Sequence, residues 1–334
     1  MRPVATVGRE RGARGRRAAT TAALLAATVT AALAAGCTGG GGPGDDGRGS
    51  ARESERGTSP SATGSSVLAV KLDNAAAARP HTGLDAADVV YAEQVEGGLS
   101  RLMAVYATQL PKTVGPVRSA RESDLELLRQ FDRPVLAFSG AQKKLLPLID
   151  RAPLRAETPV SASEAYFRGS GKPAPHNLYL RPDRLVPEEP GRSALTTGFR
   201  YGSAPAGGTA TASQTVRYPA ARFTFTWSDS QDRWLVGMDG APATTADGKR
   251  LAAATVVVQY VKVRASGFHD FLGNNTPYTE TVGSGKAKVL RDGRAHDVTW
   301  ERADAADGTA FTTGDGTPVN FAKGQVWVVY AKAS

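Results

Sequence analysis

Glu93 and Glu96 stand three residues apart in "YAEQVEGGLSR" (Tyr91 to Arg101), ahead of a glycine pair and an arginine. On a helix the two acids share a face; on a strand they point to opposite faces. Gly97-Gly98 favours a two-residue hairpin turn, because primed turns need positive φ. Folded that way, Glu96 faces Leu99, Gln94 faces Arg101, Glu93 faces Leu102 and Tyr91 faces Ala104, and a bulge shifts all of these by one. Glu96 and Arg101 then meet as diagonal neighbours, while Glu93 goes to the other face beside Tyr91 and Val95. The alternative is an exposed Glu/Arg pair, worth under ~1 kcal/mol, and a glutamate at a sheet edge.

A second group of charges sits in "GPVRSARE". Ser119 with Glu122 three residues on reads as a capping box ahead of the apolar positions Leu125, Leu128 and Phe131. Arg118 and Arg121 flank that helix start, where free amides and the positive dipole end already favour an anion. Two guanidiniums add bidentate recognition of a carboxylate or phosphate. The competing reading is an internal network in which Glu122, Asp124 or the hairpin acids satisfy both arginines.

"VKLDN" delivers Asp73 and Asn74 to a strand end with Arg79 shortly after, and Lys71, inside an otherwise apolar strand, needs an acid partner, for which Glu93 is the candidate. "APHN" adds His176 and Asn177 from a loop, where such residues also serve simply as turn formers. "FSGAQ" repeats the strand-then-helix device with Ser139 and Gln142. Two helix starts after strands suggest one crevice at the strand ends. The candidate ligand-binding set is therefore Asp73, Asn74, Arg79, Glu93, Glu96, Arg101, Arg118, Arg121, His176 and Asn177.

Other chemistries fall away. There is no G-x-S-x-G around Ser139, no H-E-x-x-H, and "GSGK" (Gly283 to Lys286) lacks P-loop spacing. His81, His176, His269 and His296 are scattered without ligand spacing; "FHDF" offers His269 and Asp270 to a metal, but reads better as a turn with a charged tip. No metal site and no cofactor is expected. Asp73, Glu93 and Glu96 can still supply a general acid and a base, as in glycan cleavage.

These residues must be held by a body that begins late in the chain. Met1 to Arg17 carries six arginines and one glutamate, an Ala/Leu/Thr/Val run follows, and "LAAGC" ends at Cys37, the one cysteine in the protein. This is a lipoprotein signal (1–36) with Cys37 as the lipidated residue. The formal +9 loses +5 with that segment, leaving about +4, and no Lys/Arg stripe with interleaved aromatics points to nucleic acid. Residues 37–66, rich in Gly, Ser, Pro and charge, read as a disordered tether. A fold of the α+β class is expected: an N-terminal α/β-type domain with a mixed sheet (67–186), a linker or long loop (187–214), and a mostly β C-terminal domain (215–334).

"VKLDN", "ARPHTGL", "ADVVYAEQVEGGLSR", "VGPVRSAR" and "APHNLYL" resemble, in order and spacing, the N-terminal domain of the YerB-like lipoproteins, a bacterial family whose domains have no assigned function. "VVVQYV", "VGSGKAKVLRDGR", "VTWER" and "FAKGQVWVVY" look like its second domain. The departures are small: His81 stands where a polar amide is expected, and the stretch before "APHN" is short. The resemblance implies an exported two-domain lipoprotein. Two readings follow: a non-catalytic binding module for an anionic cell-wall glycan or peptide or an envelope protein partner, or a cell-wall glycan hydrolase or lyase. Either is anchored by lipid to the outer face of the cytoplasmic membrane. Globomycin treatment, or Cys37→Ala, should block maturation and release or mis-sort the protein; fractionation showing an unchanged membrane-bound mature form would refute lipidation.

Overall fold

The computed structural model describes residues 66–270 and 272–334; Cys37 and the leader before it lie outside the described residues, as does the tether up to residue 65. The apolar runs of the first half become β1 (Leu68–Asp73), β2 (Val89–Gln94), β3 (Ser100–Tyr106) and β4 (Val135–Ala137), followed by β5 (Arg155–Glu157) and the hairpin strands β6 (Tyr166–Arg168) and β7 (Leu178–Leu180). Helices are few and short: α1 (Glu122–Leu128) and α2 (Leu146–Arg151). The second half supplies β8 (Ser213–Tyr218), β9 (Ala221–Ser228), β10 (Arg233–Met238), β11 (Thr255–Val261), β12 (Val263–His269), β13 (Asn275–Thr279), β14 (Gly283–Arg291), β15 (Arg294–Arg302), β16 (Ala310–Thr312) and β17 (Val326–Lys332). The class is α+β, dominated by strands.

The main sheet runs β16-β15-β14-β11-β17-β2-β3-β1-β4-β5, so strands from both halves of the sequence share one mixed sheet. They join where β2 pairs in parallel with β17. Residues 187–214 run between the two halves with only short elements, such as the 3-10 turn Arg192–Ala194. The central strands are buried on both faces, which accounts for their nearly continuous apolar sequence. One face packs against the smaller sheet built around β8, β9 and β10, where Trp327 is fully buried against Phe223 and Phe225 at ring separations of 6.1 and 5.9 Å. The other packs against Leu127 and Leu128 of α1, Ile149 of α2, and Phe131, Phe311 and Phe321.

The glycine pair makes a tighter correction than the sequence pattern suggests. Glu96–Gly98 forms a one-turn 3-10 element, with the Val95 amide donating to the Leu99 carbonyl at 2.8 Å. Three residues rather than two sit inside the turn, and the expected register slips by one: Glu93 lies opposite Arg101 and Tyr91 opposite Met103. Because Asp73 also lies opposite Arg101 across β1 and β3, the row Asp73, Arg101, Glu93 shares one face at the carboxyl ends of β1 and β2. Glu96 leaves the strand altogether.

The helix start is corrected too. Asp124, not Glu122, caps it: its carboxylate accepts the Arg121 amide at 2.7 Å, so α1 begins at Glu122 and spans seven residues. Ser119 instead lies with its hydroxyl 3.3 Å from that of Ser139. A helix this short contributes little dipole, and the anion-attracting charge near it must come from the arginines themselves.

Both turn glycines hold positive φ, 65° at Gly97 and 72° at Gly98, but their surroundings differ. A Cβ on Gly97 meets nothing within 4 Å, whereas one on Gly98 would lie 2.6 Å from the Pro219 Cβ. Gly97→Ala should cost about 1–2 kcal/mol from left-handed strain alone, and Gly98→Ala measurably more; urea denaturation of the two variants side by side tests the ranking, and equal costs would contradict it.

Candidate functional site

The sheet edge at the ends of β1 and β2 and the start of β3 carries a crevice of about 410 Å³. Asp73, Glu96, Arg101, Arg118, Arg121 and His176 all line it, so six of the ten residues singled out from sequence converge there. Arg118 is placed by backbone pairing, its amide donating to the Lys71 carbonyl at 2.8 Å and its carbonyl accepting from the Ser139 amide at 3.0 Å. Arg121 sits at the cap of α1.

Each acid in the crevice has a cation or a set of amides. Glu96 takes a two-pronged bond from Arg121, Nε to Oε1 at 2.6 Å and Nη2 to Oε2 at 2.7 Å, and also accepts the Thr276 hydroxyl. The expected Glu96–Arg101 pair is thus replaced by Glu96–Arg121, because the turn lifts Glu96 off the sheet toward α1. Asp73 accepts the Ala75 amide at 3.1 Å and lies 2.8 Å from His176 Nδ1 and 3.4 Å from Arg118 Nε. Burial works to raise both carboxyls, yet the Ala75 amide, Arg118 and His176 hold Asp73 below its ordinary value, and Arg121 and Thr276 do the same for Glu96. Asp270 shapes the turn that closes the far wall, accepting the Leu272 and Asn274 amides at 2.9 and 2.8 Å.

Arg101 stands apart. Among the described residues its guanidinium makes one hydrogen bond, Nη1 to the Ser119 carbonyl at 3.1 Å, and no carboxylate of theirs lies within ion-pair distance. Burial, with Arg121 and Arg118 adding to it against the opposing charges of Glu96 and Asp73, pushes its pKa down to about 10.

Below the crevice floor Lys71 pairs with Glu93, as its place in an apolar strand suggests, and also with Asp124 at 2.7 Å. Glu93 therefore belongs to the support of the site and does not line it. Burial and the neighbouring Asp124 push its carboxyl up, with Lys71 pulling the other way. Asp124 was recognisable: with Leu127, Leu128 and Phe131 it shares the i, i+3, i+4, i+7 face of a helix, an acid in a core position. Asn74 is buried and donates to the Ser100 hydroxyl at 2.9 Å. Arg79 lies elsewhere, bonded to Asp239 beside a separate pocket, and Asn177 turns away to bond Arg168 and Gly169. Thr276, from β13, reaches the site from 180 residues away, and no local signal marks it.

Behind Asp73, His81 is fully buried with Nε2 2.8 Å from the Asp73 carbonyl, so this nitrogen carries the proton of a neutral ring. Burial, reinforced by Lys172 and Arg79 against the opposing Asp73 bond, pushes its pKa from 6.5 down to about 4. The folded chain binds this proton less tightly than the unfolded chain. The neutral ring therefore contributes its full stability above pH 6.5 and loses about 3 kcal/mol of it as pH falls toward 4. His81→Gln, which restores the amide expected there and keeps a donor, should flatten the stability curve over that window; an unchanged slope in urea melts between pH 4 and 7 would rule this out.

Comparison with known proteins adds a family. Residues 54–194 match the model described as the protein of unknown function (DUF3048) N-terminal domain, and residues 214–328 match its C-terminal domain. A curated relative, YerB of Bacillus subtilis (strain 168), which is named as a lipoprotein, is 42% identical over 81 residues. That match spans 23% of this chain and 24% of the relative's length. The crystal structure of the YerB protein from Bacillus subtilis superposes with a TM-score of 0.66 at 20% identity, covering 80% of this chain and 91% of that one, which establishes the shared fold.

Proposed function

We propose that this chain, which belongs to the YerB-like family built from the two DUF3048 domains, is a lipid-anchored cell-envelope protein whose crevice binds an anionic group of a cell-wall component or partner protein without cleaving it. The family and the relative named as a lipoprotein support export and anchoring, together with the "LAAGC" leader.

The observation that carries the binding reading is Arg101. Three guanidiniums line the crevice, but Glu96 is committed to Arg121, Asp73 is shared between Arg118 and His176, and Asp270 is held by its own turn. Among the described residues Arg101 has a carbonyl but no direct ion-pair partner, and feels Glu96 and Asp73 only at longer range. A largely buried cation without a directly bonded counter-charge is costly, and a carboxylate or phosphate in the crevice would supply that partner with charge-assisted bonds. The same pairing argues against glycan cleavage by carboxylates: Glu93 is tied to Lys71, Glu96 to Arg121 and Asp73 to His176, which leaves none of them free to serve as acid or base.

A binding role also predicts how the arginines tolerate removal. Asp73 keeps the Ala75 amide and His176 when Arg118 is cut back, so Arg118→Ala should shift the melting temperature little. Arg101→Gln should weaken binding of wall fragments by about tenfold or more, the worth of a hydrogen bond to a charged group. Paired with complementation of a deletion strain, these variants decide the matter: a folded but inactive protein supports the reading, and full complementation by Arg101→Gln combined with Arg118→Ala refutes it. Release of soluble glycan by the wild-type chain would favour the hydrolase instead.

A further inference from the structure

We infer that the crevice is one half of a longer groove, and that its ligand is an extended chain carrying two or more anionic groups; this rests on the anion-binding reading above. The residue that joins the halves is Arg118. It lines the crevice on one side and, on the other, a second hollow of about 420 Å³ bounded by Ser139, Ser163, Phe167 and Arg168. The two are separated by a thin partition: Ser119 faces the first and Ser139 the second, with their hydroxyls 3.3 Å apart.

The second hollow has its own cation. Among the described residues that border it, Arg118 and Arg168 are the charged ones, and none is an aspartate or glutamate. Arg168 is held at the end of β6 by Asn177, whose Oδ1 accepts from Nη1 at 2.7 Å. The neighbours His176 and Asn177 thus divide their work, His176 lining the first hollow and Asn177 positioning the cation of the second. Phe167 forms a fixed wall, stacked on Tyr179 at 5.6 Å and covered by the Arg181 guanidinium at 4.3 Å. Arg101, Arg118 and Arg168 therefore follow one another across two adjoining hollows, and among the described residues Asp73, at Arg118, is the one carboxylate in ion-pair range of any of the three. A single small anion can answer only part of that row, whereas a chain with spaced anions answers all of it and gains from linkage.

The test is calorimetric titration of the full-length chain in detergent with inorganic phosphate, sn-glycerol 3-phosphate, an oligomeric glycerol phosphate and a γ-linked oligoglutamate. An oligomer should bind on the order of a hundredfold more tightly than its monomer, the gain expected from joining two sites. Arg168→Ala should collapse that ratio toward one. Preference for the phosphate oligomer identifies a phosphodiester chain, and preference for oligoglutamate a polycarboxylate; either supports the inference. Equal affinity for monomer and oligomer, or an oligomer gain that survives Arg168→Ala, overturns the extended groove while leaving the first crevice intact. Anion binding that is absent, or indifferent to Arg101→Gln, overturns both.

Discussion

The site depends on one buried cation. Lys71 projects from the middle of a strand whose every residue is buried, and it is shared by Glu93 from β2, which lies beyond β3 in the sheet, and Asp124 from α1. Burying three charges is expensive, and it holds only when each keeps its partner. That requirement fixes α1 over the ends of β1 and β2 more firmly than seven helical residues could fix themselves. Once α1 is placed, Arg121 at its cap faces Glu96, and the segment before it lays Arg118 beside Asp73.

How much of this was legible from sequence varies with how local the cause is. The strands were readable because apolar runs bounded by turn residues survive the choice of partner. The Lys71–Glu93 pair was readable because a lysine in an apolar strand has few ways to be satisfied. The register was not, although only one residue separates expectation from fact. The glycine pair permits both a two-residue and a three-residue turn, and the choice is reinforced from outside: the Gly98 carbonyl accepts the Ala220 amide at 2.9 Å, and Pro219 packs beside it. Those residues lie more than a hundred positions away, and nothing near Gly98 announces them.

The cap of α1 shows competition between two local signals. Ser119 with Glu122 and the Arg121 amide with Asp124 both satisfy the spacing of a helix start, and Asp124 prevails because the same residue is also required by Lys71. The site residues divide along a similar line. Asp73 and Arg101 follow from strand geometry and Arg118 from the helix start it precedes, whereas Arg79 and Asn177 were grouped with them by sequence proximity and turn to Asp239 and Arg168 instead.

The position of β17 in the sheet has a temporal meaning. Val326–Lys332 pairs in parallel with β2 on one side and with β11 on the other, so a strand from far along the chain occupies the middle of the main sheet. Its Trp327 fills the space between the two sheets, and its Tyr330 carbonyl lies 2.8 Å from the Tyr218 hydroxyl. A chain delivered amino end first must therefore keep β2 unpaired along one edge until some 230 residues later have arrived, a separation that slows closure of the core. Closure of the main sheet is therefore a late event, and until β17 arrives both β2 and β11 expose an unpaired edge.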